Sequence, residues 1–140
     1  MLQRIQSIYL VAGLICTGLL FYFPVWSSGD QTGLEIYGAG SHIILFIITS
    51  LLGLIQVISV FLFRNRKLQI TLCWLGLLIA ASFISLFLIF FIQDNQGMNN
   101  FTKGIKIGAL LPILIIILKY LAIINIQKDE ELIKSMNRLR

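Results

Sequence analysis

Charge is what this sequence has least of. Of 140 residues, 12% are Asp, Glu, Lys or Arg and 58% are hydrophobic. A soluble domain carries about 25% charged residues to cover its surface, so half that supply leaves too little polar surface to meet water on every side. Mean hydropathy is correspondingly high, at +0.92. Histidine is nearly absent. His42 alone can neither build a multi-histidine metal site nor supply two axial haem ligands. The two cysteines, Cys16 and Cys73, both lie inside apolar blocks, which gives neither a disulfide framework nor a C-x-x-C pair. They read as small buried hydrophobes. No Asp or Glu falls inside an apolar block, which argues against a proton relay or a cation-coupled pump. There is no Ser/His/Asp set, no H-E-x-x-H and no pair of carboxylates, so neither catalysis nor a cofactor is expected.

What is present comes in long apolar runs rather than at amphipathic spacing. A bilayer core of about 30 Å needs roughly 20 apolar residues in a helix. Four blocks reach that length: 5–23, 41–63, 68–92 and 104–126. Each must be helical, because lipid offers no partner to backbone N–H and C=O groups. A polar loop (24–40), a tight basic turn (64–67) and a second polar loop (93–103) join them, and a charged tail (127–140) follows. The first block could be mistaken for a signal peptide. However, Tyr22, Phe23, Pro24, Val25 and Trp26 are too bulky for a cleavage site, so it is read as a retained helix.

The net charge of +5 is better read as a topology signal than as a nucleic-acid footprint. One side of the blocks holds Arg4, Arg64, Arg66, Lys67, Lys128, Lys134, Arg138 and Arg140, with Lys119 close by, and the other holds only Lys103 and Lys106. Positively charged loops stay in the cytoplasm. The expectation is therefore an all-α membrane protein, an up-down four-helix transmembrane bundle with N and C termini cytoplasmic. Residues 1–126 form the membrane domain and 127–140 a cytoplasmic amphipathic basic tail. Tyr9, Trp74 and Tyr120 fall near the inner face and Tyr22, Trp26 and Tyr37 near the outer, as interfacial aromatics do.

Small residues mark sites of close helix approach: Gly104 with Gly108, Gly76 with Ala80, and Ala81 with Ser85, all expected to point into the bundle. In the tail, Leu132, Ile133, Met136 and Leu139 share a stripe, and Glu130 precedes Lys134 by four residues, the favourable order for a helical pair. A basic helix of this kind lies on anionic headgroups or docks a cytoplasmic partner. Arg64, Arg66, Lys67, Lys128, Lys134, Arg138 and Arg140 are accordingly the candidate contacts to membrane lipid or to another membrane or cytoplasmic protein.

Polar groups inside the spans are few. Gln56 reads as interhelical glue, and Thr49, Ser50, Ser59, Thr71, Ser82 and Ser85 can bond their own helix's carbonyls. Lys119 is the only charge well inside a span. Its long stem suggests an ammonium that snorkels to the headgroups, with Tyr120 beside it at the interface. The alternative makes Gln56 and Lys119 a polar site inside the bundle. Pro112 removes a helical hydrogen bond and predicts a kink. His42 is placed at headgroup level, and Asn100-Phe101-Thr102 matches a glycosylation acceptor only weakly.

A hint of duplication runs through the chain at an offset of 63. Arg4-Ile5-Gln6 meets Lys67-Leu68-Gln69, Gly13-Leu14 meets Gly76-Leu77, Ser41 meets Gly104, and Gln56 falls opposite Lys119. Two hairpins in parallel repeat would be similar in plan to some small transporters.

With these residues in place, the chain resembles a family of short four-span bacterial inner-membrane proteins classed as a domain of unknown function. The resemblance rests on the opening Met1-Leu2-Gln3-Arg4-Ile5-Gln6-Ser7-Ile8-Tyr9, the turn Arg64-Asn65-Arg66-Lys67-Leu68-Gln69-Ile70, and the closing Lys128-Asp129-Glu130-Glu131-Leu132 through Arg138-Leu139-Arg140. It spans the whole length, implies a bacterial inner membrane, and carries no site residues with it. The expected role is a non-enzymatic accessory or scaffold subunit. The alternative is a small permease or channel using the bundle interior near Gln56 and Lys119.

Overall fold

The computed structural model describes residues 3–28, 35–62, 65–94 and 104–138. Within them are four α-helices: α1 (Gln3–Tyr22), α2 (Ile43–Phe61), α3 (Arg66–Asp94) and α4 (Leu110–Arg138). A 3-10 turn, Ile107–Ala109, leads into α4, and two short strands, β1 (Trp26–Ser28) and β2 (Glu35–Tyr37), lie between α1 and α2. Arg64, Lys103, Arg140, Asp30 and the Asn100-Phe101-Thr102 match lie outside the described residues, as does the Glu130–Lys134 side-chain pairing.

Helix α2 shows why these sequences fold as they do. Its buried residues are Leu45, Thr49, Leu52, Gln56 and Ser59, spaced by fours and threes along one stripe. Three of the five are polar, while the opposite face exposes Ile43 (76%), Leu54 (60%) and Phe61 (73%). An apolar outer surface running the length of a helix is untenable in water and stable against acyl chains. Three helical stretches, Ile43–Phe61, Lys67–Gln93 and Ile107–Asp129, are long and apolar enough to cross a membrane. In α1, Ser7–Tyr22 is a shorter apolar stretch.

The helices close a ring in which α1 and α3 each pack against both α2 and α4. The buried side chains form two clusters. One gathers Leu20, Trp26, Leu45, Phe83, Phe87 and Ile115 among others, and the other gathers Leu10, Cys73, Ala122, Ile123 and Ile126. Both cysteines are buried and free. The hydroxyls of Thr49, Ser59, Thr71, Ser82 and Ser85 donate to carbonyls three or four residues back in their own helices, at 2.7–3.1 Å, as expected.

Four local expectations are corrected, most of them at the end of the bundle where β1 and β2 lie. Trp26 is not an interfacial aromatic. It is wholly buried, pairs with Tyr37 across the β1–β2 ladder and bridges to Ile105. Gly104 and Gly108 precede α4 and do not pack helix on helix. The Gly108 amide donates to the Pro24 carbonyl at 3.0 Å, and a Cβ on Gly108 would overlap that carbonyl. A Cβ on Gly104 would come within 3.1 Å of the Ser27 carbonyl. The two glycines therefore admit the β1 segment. Pro112 sits in the first turn of α4, where its missing N–H is not needed, so it starts the helix instead of kinking it. Finally, Gly76 and Ala80 face inward but Ala81 and Ser85 face outward, because one helical stripe cannot hold two adjacent pairs.

Candidate functional site

The polar residues inside the ring lie between its two apolar clusters. Gln56 is fully buried on the inward stripe of α2. Its Nε2 donates to the Leu10 carbonyl of α1 at 3.4 Å, and its Oε1 has no partner among the described residues. Room for the amide comes from Gly13, where a Cβ would overlap Nε2. The glycine carbonyl is occupied separately, by the Thr17 hydroxyl at 2.9 Å.

Lys119 holds the matching place on α4, whose inward stripe of Pro112, Ile115, Lys119 and Ala122 continues from Gly108 in the 3-10 turn. It is 1% exposed, and its Nζ has no hydrogen-bond partner among the described residues. The expected snorkel is thus corrected. The stem turns inward and lies against Gly76 of α3, where a Cβ would overlap Nζ and stand 2.7 Å from Cε. Tyr120, one residue on, is 54% exposed on the outer face. The one carboxylate in the membrane-length stretch that holds Lys119, Asp129, stands ten residues further along α4. Ala122, Ile123 and Ile126 cover the ammonium on one side along the bundle, and Ile115 begins the apolar cluster on the other.

Next to this layer is a void of about 10 Å³ lined by Leu20, Thr49, Leu52, Phe83, Pro112 and Ile115 among others. A space of that size holds one water at most. Among the described residues no group of three or more His, Cys, Asp or Glu side chains is placed to hold a metal ion.

Lys67 and Lys128 are exposed. Arg66 opens α3, and Lys134 and Arg138 fall in the last turns of α4, which continues as one helix to Arg138. Two features escaped the sequence reading. Gln69 donates Nε2 to the Ser59 carbonyl at 3.0 Å, tying α3 to α2 near their connecting turn. Its signal was available, since Gln69 opens the third span as Gln6 opens the first. The second is a stack in which His42, the N-cap of α2, lies 4.4 Å from Phe90 and 5.7 Å from Trp26 with nearly parallel rings. No periodicity foretells it, because the three residues come from different elements.

The fold and its interior define a helical protein built around membrane-length apolar helices, with a closed polar layer in place of an open cleft. The family described as "Domain of unknown function (DUF4293)" matches residues 2–139, and the chain belongs to that family. No curated protein and no solved structure matches it.

Proposed function

We propose that this is a multi-pass protein of the bacterial inner membrane, an up-down bundle of four spans with both ends cytoplasmic. It serves without catalysis as an accessory or scaffold subunit. The observation that carries this reading is the closed interior: Gln56 and Lys119 are spent on packing against Gly13 and Gly76, with apolar side chains on both sides of them along the bundle. A bundle sealed in this way offers no route to a solute, and its informative chemistry is left to the charged turn and tail. The strong bias of Lys and Arg toward that side supports the cytoplasmic assignment.

Replacing Arg64, Arg66 and Lys67 together with Gln tests the role. Expected is normal insertion with loss of a discrete partner that accompanies the wild-type protein through mild-detergent purification. Unchanged co-purification in the triple variant contradicts it. The ammonium of Lys119, without a hydrogen-bond partner among the described residues, favours a second reading, a permease whose other conformation opens the interior to water.

A further inference from the structure

Gly13 touches Gln56, and Gly76 touches Lys119, in the same manner. Sixty-three positions separate Gly13 from Gly76 and the same number separate Gln56 from Lys119. The correspondence extends along all four helices. On α1 the residues Leu10, Gly13, Thr17 and Leu20 are buried, and their counterparts Cys73, Gly76, Ala80 and Phe83 on α3 are buried too. The five buried residues of α2, Leu45, Thr49, Leu52, Gln56 and Ser59, map onto Gly108 of the 3-10 turn and Pro112, Ile115, Lys119 and Ala122 of α4, again all buried. Of the ten buried positions of α1 and α2, nine have a buried counterpart at this offset, although only one of those nine pairs is identical; Cys16 meets the half-buried Ile79, and buried Ile123 of α4 meets the half-buried Val60.

The arrangement in space agrees as well. Leu10 and Cys73 meet in one cluster, and Leu20 and Phe83 in the other, so α1 and α3 run in the same sense. Gln56 lies against Gly13 and gives its amide to the Leu10 carbonyl of the preceding helix α1, and Lys119 lies against Gly76 of the preceding helix α3. The void is lined by three related pairs: Leu20 with Phe83, Thr49 with Pro112, and Leu52 with Ile115. A space bordered equally by both halves is where an axis relating them would pass.

We infer that the bundle is one helical hairpin present twice, α1–α2 and α3–α4, related by an approximate twofold axis along the bundle. The inward face of each hairpin is therefore an interaction surface that fits a second copy of the same hairpin. Burial pattern has outlasted residue identity because a packed interior constrains size and spacing more than chemistry. Gln56 and Lys119 are the one long polar side chain that each copy lays across its partner helix's glycine. The inference stands apart from the proposed role and holds for an accessory subunit or a permease alike.

Exchanging the two polar residues in the full-length chain tests it. Gln56→Lys combined with Lys119→Gln keeps composition and leaves one ammonium inside, but in the other copy. Ile115→Lys combined with Lys119→Ile also keeps composition but moves the lysine one turn, to a position with no glycine opposite. The measurement is the fraction of protein remaining monodisperse in detergent after heating. The expected result is that the exchanged variant survives at least about tenfold better than the off-register one, because a misplaced intramembrane lysine is costly. Anything less overturns the inference. Lys119→Gln alone checks the slot without any new charge: survival at or above wild type is expected, and failure to assemble overturns the equivalence.

Discussion

Gln56 and Lys119 fill equivalent slots in the two halves of the bundle but are satisfied to different degrees. The amide reaches the Leu10 carbonyl, whereas the ammonium has no acceptor among the described residues and is buried. What the slots share is a bare glycine opposite, Gly13 or Gly76. The comparison teaches that the slot demands length and a flat bed for the side chain, and tolerates very different polar chemistry at its tip. A buried charge without a partner is a cost, and a buried amide with one hydrogen bond is close to neutral.

The largest effect should come from removing that cost. Lys119→Met keeps the stem and discards the ammonium, and should raise stability by about 3 kcal/mol, whereas Gln56→Met should lower it by about 0.6 kcal/mol, the mean worth of an interhelical hydrogen bond. Reversible unfolding in mixed micelles followed by circular dichroism measures both. Equal responses would erase the distinction between the slots. Next come the glycines. Lys119 presses Gly76 with Nζ, Cε and Cδ, but Gln56 presses Gly13 mainly with Nε2. Gly76→Ala should therefore cost about 2 kcal/mol and Gly13→Ala about 1 kcal/mol by the same measurement. Combining Gly76→Ala with Lys119→Ala should restore part of the loss, since the overlap is with that side chain. Smallest is Gln69→Leu, which removes the bond to the Ser59 carbonyl and should cost about 0.6 kcal/mol.

Helix placement was legible because lipid imposes a length and forbids exposed backbone polar groups. The expected blocks 5–23, 41–63 and 68–92 match helices Gln3–Tyr22, Ile43–Phe61 and Arg66–Asp94 closely. The fourth block was less exact, since residues 104–109 precede the helix. Spacing alone made Gly104 and Gly108 look like a helix contact, but their use depends on where Pro24 and Ser27 come to rest. Trp26 was misread for a related reason. Composition favours an aromatic belt at a span's end, and only the pairing of β1 with β2 draws the indole inside. The offset of 63 was visible as a few identities. Its meaning lies in which residues are buried, and that follows from helix rotation about the ring. Lys119 marks the limit most clearly: a lysine stem is long enough to reach headgroups or to fold inward, and the bare surface of Gly76, in another helix, decides between them.

The closed interior can be tested directly by its reach to water. Cys16→Ala and Cys73→Ala remove the native thiols, after which Gln56→Cys and Lys119→Cys are introduced one at a time. A membrane-impermeant maleimide is then added to right-side-out and to inverted vesicles. Neither position should label until detergent and denaturant open the bundle, whereas a control cysteine at Lys67 should label in inverted vesicles only. Labelling of position 56 or 119 from either aqueous side would contradict a sealed bundle.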